Sequence, residues 1–287
     1  MIKIISRIIK MIYALSPKFG TYSSFLLFNY PINKTVRNRE KRVLESANTT
    51  SVSLDDKLIK VYWWGNGDKN ALLIHGWESN AGGLGGFVEP LLKRGYQILS
   101  FDGPAHGKSE GWLTNIIEFS NVIKEIIELD QPDTIITHSF GSAALIYALH
   151  QNDHLKVKNL ILVTSPNRFE DVLKGFTTLL NFDQKMEDDF MKYISKKFQK
   201  NISELEISNL IKKTSIERIL LVHDIDDRVL SYKGAKKIAG NSKNVELFSV
   251  KNKGHYRILW DEDVIQTCMN FLMCEIPVES SQTSSLN

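Results

Sequence analysis

The chain has 287 residues, 43% hydrophobic and 24% charged, enough apolar material to bury one large α/β core with room for an inserted subdomain, and it reads as soluble and globular. Two cysteines, Cys268 and Cys274, lie close together near the end; they fit neither a disulfide framework nor a metal-ligand spacing, and a reducing, cytoplasmic setting is the simpler expectation. The net charge is only +3, yet residues 1 to 42 hold nine Lys and Arg against Glu40 alone, a local +8 that leaves −5 for the rest; such asymmetry directs attention to an anionic surface as partner.

Met1 to Leu15 sets Lys3, Arg7, Lys10 and Ala14 on one helical stripe and Ile2, Ile5, Ile8, Ile9, Ile12 and Leu15 around the other side, the pattern of a basic amphipathic helix. Its apolar runs are too short to cross a bilayer, and no cleavage site follows a sustained apolar core. Such a helix ordinarily packs on its own domain; the alternative is peripheral contact with an anionic membrane through residues 1–16, assisted by Phe25-Leu26-Leu27-Phe28. Residues 1–45 therefore read as an N-terminal extension.

From Ser51 the pattern turns to strands, Val52 to Leu54 and Leu58 to Trp64 around a turn at Asp55-Asp56, which predicts a hairpin. Strand and helix then alternate: Ala71 to His75, Gly86 to Arg94, Tyr96 to Phe101, Asn115 to Leu129, Thr134 to Thr137, a helix after Ser139, and Asn159 to Thr164. This alternation predicts an α/β fold with a mostly parallel sheet and helices on both faces. About fifty residues, 167–217, separate Pro166 from the next strand, with Phe169, Phe176, Phe182, Phe190 and Phe198 spaced among nine cations and nine acids. That is too long for a plain crossover and predicts a helical cap inserted in the domain that spans 46–275. Strand Arg218 to Val222, helix Tyr232 to Ala239, strand Val245 to Val250 and helix Asp261 to Met273 follow, and residues 276–287 are Ser-rich and predicted disordered.

The chemistry gathers at strand ends. Thr137-His138-Ser139-Phe140-Gly141 lies between an apolar strand and a helix of small residues, the outline of a turn that presents a nucleophilic serine. Thr137 stands where a glycine is usual, which is expected to open the turn slightly. His223-Asp224-Ile225-Asp226-Asp227 follows a buried strand, where open α/β sheets place their sites. Asp227 is the first choice as orienting acid, with Asp226 and Asp224 as alternatives by register. His255, in Gly254-His255-Tyr256 after the last strand, completes the order serine, acid, histidine as general base. His75-Gly76-Trp77 ends the first buried strand, so the Trp77 and Phe140 amides are the expected oxyanion donors. Asp102-Gly103-Pro104-Ala105-His106-Gly107-Lys108-Ser109 lacks the spacing of either phosphate-binding glycine loop and is read as a rim loop. His106 and His138 are read as structural, no histidine cluster has metal spacing, and no nucleic-acid motif accompanies the basic end.

Together these motifs, from His75-Gly76-Trp77 to Gly254-His255-Tyr256, resemble the α/β-hydrolase family from about Ser51 to Met273. The resemblance implies an eight-stranded, mostly parallel sheet, a cap inserted before the acid-bearing strand, and hydrolysis of ester, thioester or related bonds without a cofactor. It also implies Ser139 as nucleophile, Asp227 as acid, His255 as base and Trp77 with Phe140 as oxyanion donors. A small-molecule acyl substrate is the expected partner. An acyltransferase or a carbon–carbon bond hydrolase would use the same triad, and a non-catalytic binding scaffold is the alternative from another class.

Overall fold

The computed structural model describes residues 2–199 and 201–273. Cys274 and the tail predicted to be disordered lie outside them. Among the described residues, eight strands form one sheet in the spatial order β1-β2-β4-β3-β5-β6-β7-β8. They are β1 Asn48–Leu54, β2 Lys57–Trp64, β3 Lys69–Ile74, β4 Tyr96–Phe101, β5 Thr134–His138, β6 Lys156–Val163, β7 Ser215–Asp224 and β8 Val245–Val250. Only the pairs β1 with β2 and β2 with β4 are antiparallel; the other five pairs are parallel. This is the α/β fold that the alternation predicts, an α/β-hydrolase sheet.

The hairpin turn is Asp55-Asp56, with φ of 47° and 59°; two successive left-handed residues match the twist of the strands they join. In the central strands, successive side chains enter opposite layers. Leu72 and Ile74 face one core with Ile135, Leu160 and Leu221, while Ala71 and Leu73 face the other with Ile136, Ile161 and Val222. Both faces are covered, which is why these strands read as unbroken apolar runs.

The helices are α1 Ile2–Leu15, α2 Pro17–Phe28, α3 Asn38–Glu45, α4 Val88–Leu92, α5 Ile116–Asp130, α6 Phe140–Gln151, α7 Phe169–Leu179, α8 Gln184–Phe198, α9 Ile207–Leu210, α10 Tyr232–Asn241 and α11 Glu262–Met273. The helix expected over Gly86 to Arg94 is shorter, because a 3-10 segment, Ala81–Phe87, precedes α4. Helices α7, α8 and α9 lie between β6 and β7, the helical cap insertion. Cys268 is buried in α11, and burial pushes its thiol up to about 12.

The N-terminal residues are more ordered than a single helix. Ser16 accepts from the Phe19 amide and Pro17 opens α2, the residues that favour a helix start. Gly20 sits against α1: a Cβ there would lie 2.4 Å from the Tyr13 Cα, so glycine permits the two helices to touch. The inner side of this helical pair packs on the insertion. Phe25 meets Tyr193 at 5.3 Å between ring centroids, and Phe28 meets Phe176 at 5.1 Å and Phe190 at 5.9 Å. Phe190 is fully buried, and a side chain of that size contributes about 1.5–3 kcal/mol by leaving water.

Candidate active site

The strand order reverses between β3 and β5, which lie side by side with Ile74 opposite Thr137. Such a reversal leaves a crevice at the strands' C-terminal ends. Ser139 stands there between β5 and α6 with φ 51° and ψ −119°, a conformation that a residue with a side chain adopts only when its surroundings impose it. The Ser139 amide donates to the Val163 carbonyl at 3.1 Å. Two glycines make room for the turn. A Cβ on Gly141 would lie 2.4 Å from the His75 carbonyl oxygen, and one on Gly76 would lie 3.1 Å from the His138 carbonyl oxygen and 3.2 Å from the Ser139 Cβ.

Thr137 is accommodated in the turn by a neighbour. Its hydroxyl pairs with the Ser142 hydroxyl at 2.7 Å, so the extra polar atom is satisfied inside the first turn of α6 while Ser139 keeps its strained backbone.

The loops after β7 and β8 bring the other two groups over the serine. His255 Nε2 lies 3.1 Å from Ser139 Oγ and its Nδ1 lies 2.7 Å from Asp227 Oδ2. The second oxygen of Asp227 accepts from the amides of Val229 at 2.7 Å and Leu230 at 3.1 Å. Burial pushes the Asp227 carboxyl up, but the hydrogen bond and charge of His255, with those two amides, outweigh it and hold the group below the ordinary carboxylate range. Among the three candidate acids, Asp227 is the one that meets His255. Asp226 is exposed. Asp224 is buried and engaged elsewhere. One of its oxygens accepts from the Asp226 amide at 2.9 Å and the other from the Gly254 amide, so it pins the acid loop to the histidine loop. Burial again opposes ionisation of Asp224, and these amides again outweigh it.

His138, read from sequence as structural, is closer to the chemistry than that. Its Nε2 donates to the His255 carbonyl at 3.0 Å and the two rings lie 4.8 Å apart. Burial, then the neighbouring His255, pushes its imidazole down to about 3, so it stays neutral and supports the His255 backbone. Its place immediately before Ser139 gave no sequence signal for this contact.

The rim loop is built around Asp102, whose carboxylate accepts from the amides of Ala81 at 2.8 Å and Lys108 at 2.9 Å and from the Tyr62 hydroxyl at 3.1 Å. The loop thus turns one of its own amides, that of Lys108, onto its own aspartate. His75 Nε2 accepts from the Gly103 amide at 2.8 Å and His106 Nε2 accepts from the Glu78 amide at 3.1 Å; burial pushes His106 down to about 3. Both imidazoles act as neutral acceptors that tie this loop to the turn after β3.

The rings of Trp77 and Phe140 meet edge to face at 5.2 Å. Phe140 is the first residue of α6, where a backbone N–H has no acceptor within the helix. Beside the acid loop opens a crevice of about 550 Å³, lined by Asp227, Ile225, Tyr232 and the cations Arg228, Lys233 and Lys236. The N-terminal residues also border the site: the Ile32 amide donates to Glu78 at 3.0 Å, and the Arg37 guanidinium lies 5.5 Å from the ring centre of Tyr256. Among the described residues no group of three or more His, Cys, Asp or Glu is gathered to hold a metal ion.

Residues 72–213 match the family model of the alpha/beta hydrolase fold. With the sheet order and the serine turn, this identifies the fold as that of the α/β hydrolases. A 2-hydroxy-6-oxononadienedioate/2-hydroxy-6-oxononatrienedioate hydrolase of Escherichia coli O81 (strain ED1a) is 28% identical over 118 residues, 39% of this chain and 38% of that protein, so the match spans little more than a third of the relative. Among solved structures, an esterase from Pyrococcus furiosus superposes with a TM-score of 0.63 at 19% identity, over 85% of this chain and 97% of its own. A membrane phospholipase A gives 0.63 at 17% identity, over 92% and 97%. At these identities the structural likeness is one of fold.

Proposed function

We propose that the protein is a serine hydrolase that cleaves an acyl ester or thioester through a covalent intermediate on Ser139. The observation that carries this reading is the chain of contacts from Asp227 through His255 to a serine held in a strained turn.

Ser139 Oγ attacks the acyl carbonyl as its proton passes to His255 Nε2, and Asp227 holds the Nδ1–H and stabilises the imidazolium. The carbonyl oxygen becomes an oxyanion, which the Phe140 and Trp77 amides would receive; the N-terminus of α6 favours the same charge. As the tetrahedral species collapses, His255 returns its proton to the leaving alkoxide or thiolate. Water, deprotonated by the same imidazole, then attacks the acyl-enzyme and releases the acid, and Ser139 recovers its proton. The Trp77 and Phe140 rings favour an apolar acyl group.

The test is a fluorophosphonate probe at neutral pH, with the adduct located by mass spectrometry. Wild type is expected to label on Ser139, and Ser139→Ala and His255→Ala to lose that label, with acyl-ester turnover falling on the order of 10⁴-fold or more. A folded wild type that never labels would favour the binding-scaffold reading. The E. coli relative, a hydrolase of long unsaturated dioates by name, supports a second reading as a carbon–carbon bond hydrolase with the same triad. Labelling of Ser139 with turnover of a vinylogous diketone, and none of esters, would select it.

A further inference from the structure

Helix α1 carries two apolar faces, and protein covers one of them. On the inner face Ile5, Ile9 and Tyr13 pack with Leu27, Phe182 and Met186. The Ser6 hydroxyl donates to the Leu180 carbonyl and the Tyr13 hydroxyl to Asp189 at 2.6 Å. At about 100° per residue, Ile4, Ile8, Met11 and Leu15 fall on one stripe on roughly the opposite side. They are 61%, 46%, 60% and 83% exposed. Phe19 and Tyr22, exposed by 65% and 46%, extend the apolar surface along α2.

Charge decides what fits this surface. Lys3, Arg7 and Lys10 occupy the flank between the two faces, Lys18 follows at the start of α2, and no acid occurs before Glu40. A second copy paired antiparallel across a two-fold axis would set this cationic flank against its own image, which is unfavourable. An anionic phospholipid bilayer offers phosphates to the flank and hydrocarbon to the stripe. No helix among the described residues is long and apolar enough to cross a membrane, and 14 residues of α1 suit a helix lying in the interface plane.

We propose that α1 and α2 dock the protein on an anionic phospholipid surface. Ile4, Ile8, Met11, Leu15 and Phe19 enter the boundary between headgroups and acyl chains, and Lys3, Arg7, Lys10 and Lys18 meet the phosphates. Because the inner face of α1 rests on α8 and on the turn that precedes it, docking sets the insertion beside the lipid.

The test is flotation of the full chain with vesicles of phosphatidylcholine alone or mixed with phosphatidylglycerol. Wild type floats with the mixed vesicles, and high salt releases it. Ile4→Ser/Ile8→Ser/Met11→Ser/Leu15→Ser lowers the bound-to-free ratio by about tenfold or more, from the apolar area withdrawn. Lys3→Ala/Arg7→Ala/Lys18→Ala, at three exposed positions, lowers it similarly on mixed vesicles and keeps the wild-type melting temperature; should the first variant fail to fold, this one decides. Wild type that floats with neither vesicle, or a folded variant that floats as well as wild type, overturns the proposal. So does a wild-type dimer that the stripe variant splits while neither binds vesicles, because the occupant is then a second copy.

Discussion

Thr137 occupies a position that the turn around Ser139 normally reserves for glycine, and its hydroxyl meets the Ser142 hydroxyl at 2.7 Å and, more loosely, the Ile161 carbonyl at 3.4 Å. The closer partner, Ser142, is buried like Thr137 itself. Thr137→Val keeps the shape and removes the bond, leaving the Ser142 hydroxyl without its partner. A loss of about 1–2 kcal/mol is expected, read as a lower urea midpoint with unchanged slope, while Thr137→Ser stays near wild type. Equal stability of the valine and serine variants would show that the pair contributes nothing. The residues that meet at the site were legible one by one, because Ser139, Asp227 and His255 each follow a strand and occur in the order that such a sheet requires. The choice among Asp224, Asp226 and Asp227 was not legible. It depends on β7 running on to Asp224, which makes that residue the last of the strand and hands the loop position facing His255 to Asp227.

At the scale of elements, the site is an agreement between two loops from neighbouring strands. The loops after β7 and β8 are joined by Asp224 as well as by Asp227, and only the second pair involves the imidazole. Asp224 is a positioning residue. Asp224→Asn turns an amide N–H₂ toward one of the two N–H groups that its carboxylate serves, and a loss of about 1.5–3 kcal/mol follows from hydrogen bonds to a charged group. The rate of fluorophosphonate labelling at Ser139 is expected to fall about tenfold or more, because His255 is less firmly held. Unaltered labelling and stability would assign Asp224 to the turn alone. The insertion illustrates what sequence could and could not reveal about elements. Its helical character and its apolar rings were readable, but its packing against α1 and α2 was not, because ring contacts such as Phe28 with Phe190 join segments that periodicity treats separately.

For the molecule as a whole, four buried imidazoles govern the response to acid. Burial holds His75, His106, His138 and His223 below the ordinary histidine value, the second and third down to about 3. The unfolded chain binds these protons below about pH 6.5 and the folded chain does not. Stability is therefore complete above that value and falls as the pH drops through it. The depressed carboxyls of Asp224 and Asp227 act in the same direction at lower pH: their contribution is present above the unfolded value of about 3.9 and is lost below it. Calorimetry should show a melting temperature that declines steadily from about pH 6.5 downward; a flat profile to about pH 4.5 would mean that the imidazoles ionise in place.

The contact between Tyr13 and Asp189 joins residues 176 positions apart. During synthesis α1 and α2 leave the ribosome long before the helices they rest on exist, a delay of roughly 10 to 35 s at usual elongation rates. Through that interval the inner face of α1 has only α2 beside it, and the rings of Phe25 and Phe28 lack their partners on the insertion. These helices must therefore wait, with apolar surface uncovered, until the insertion is made, so they are expected among the last parts of the fold to close.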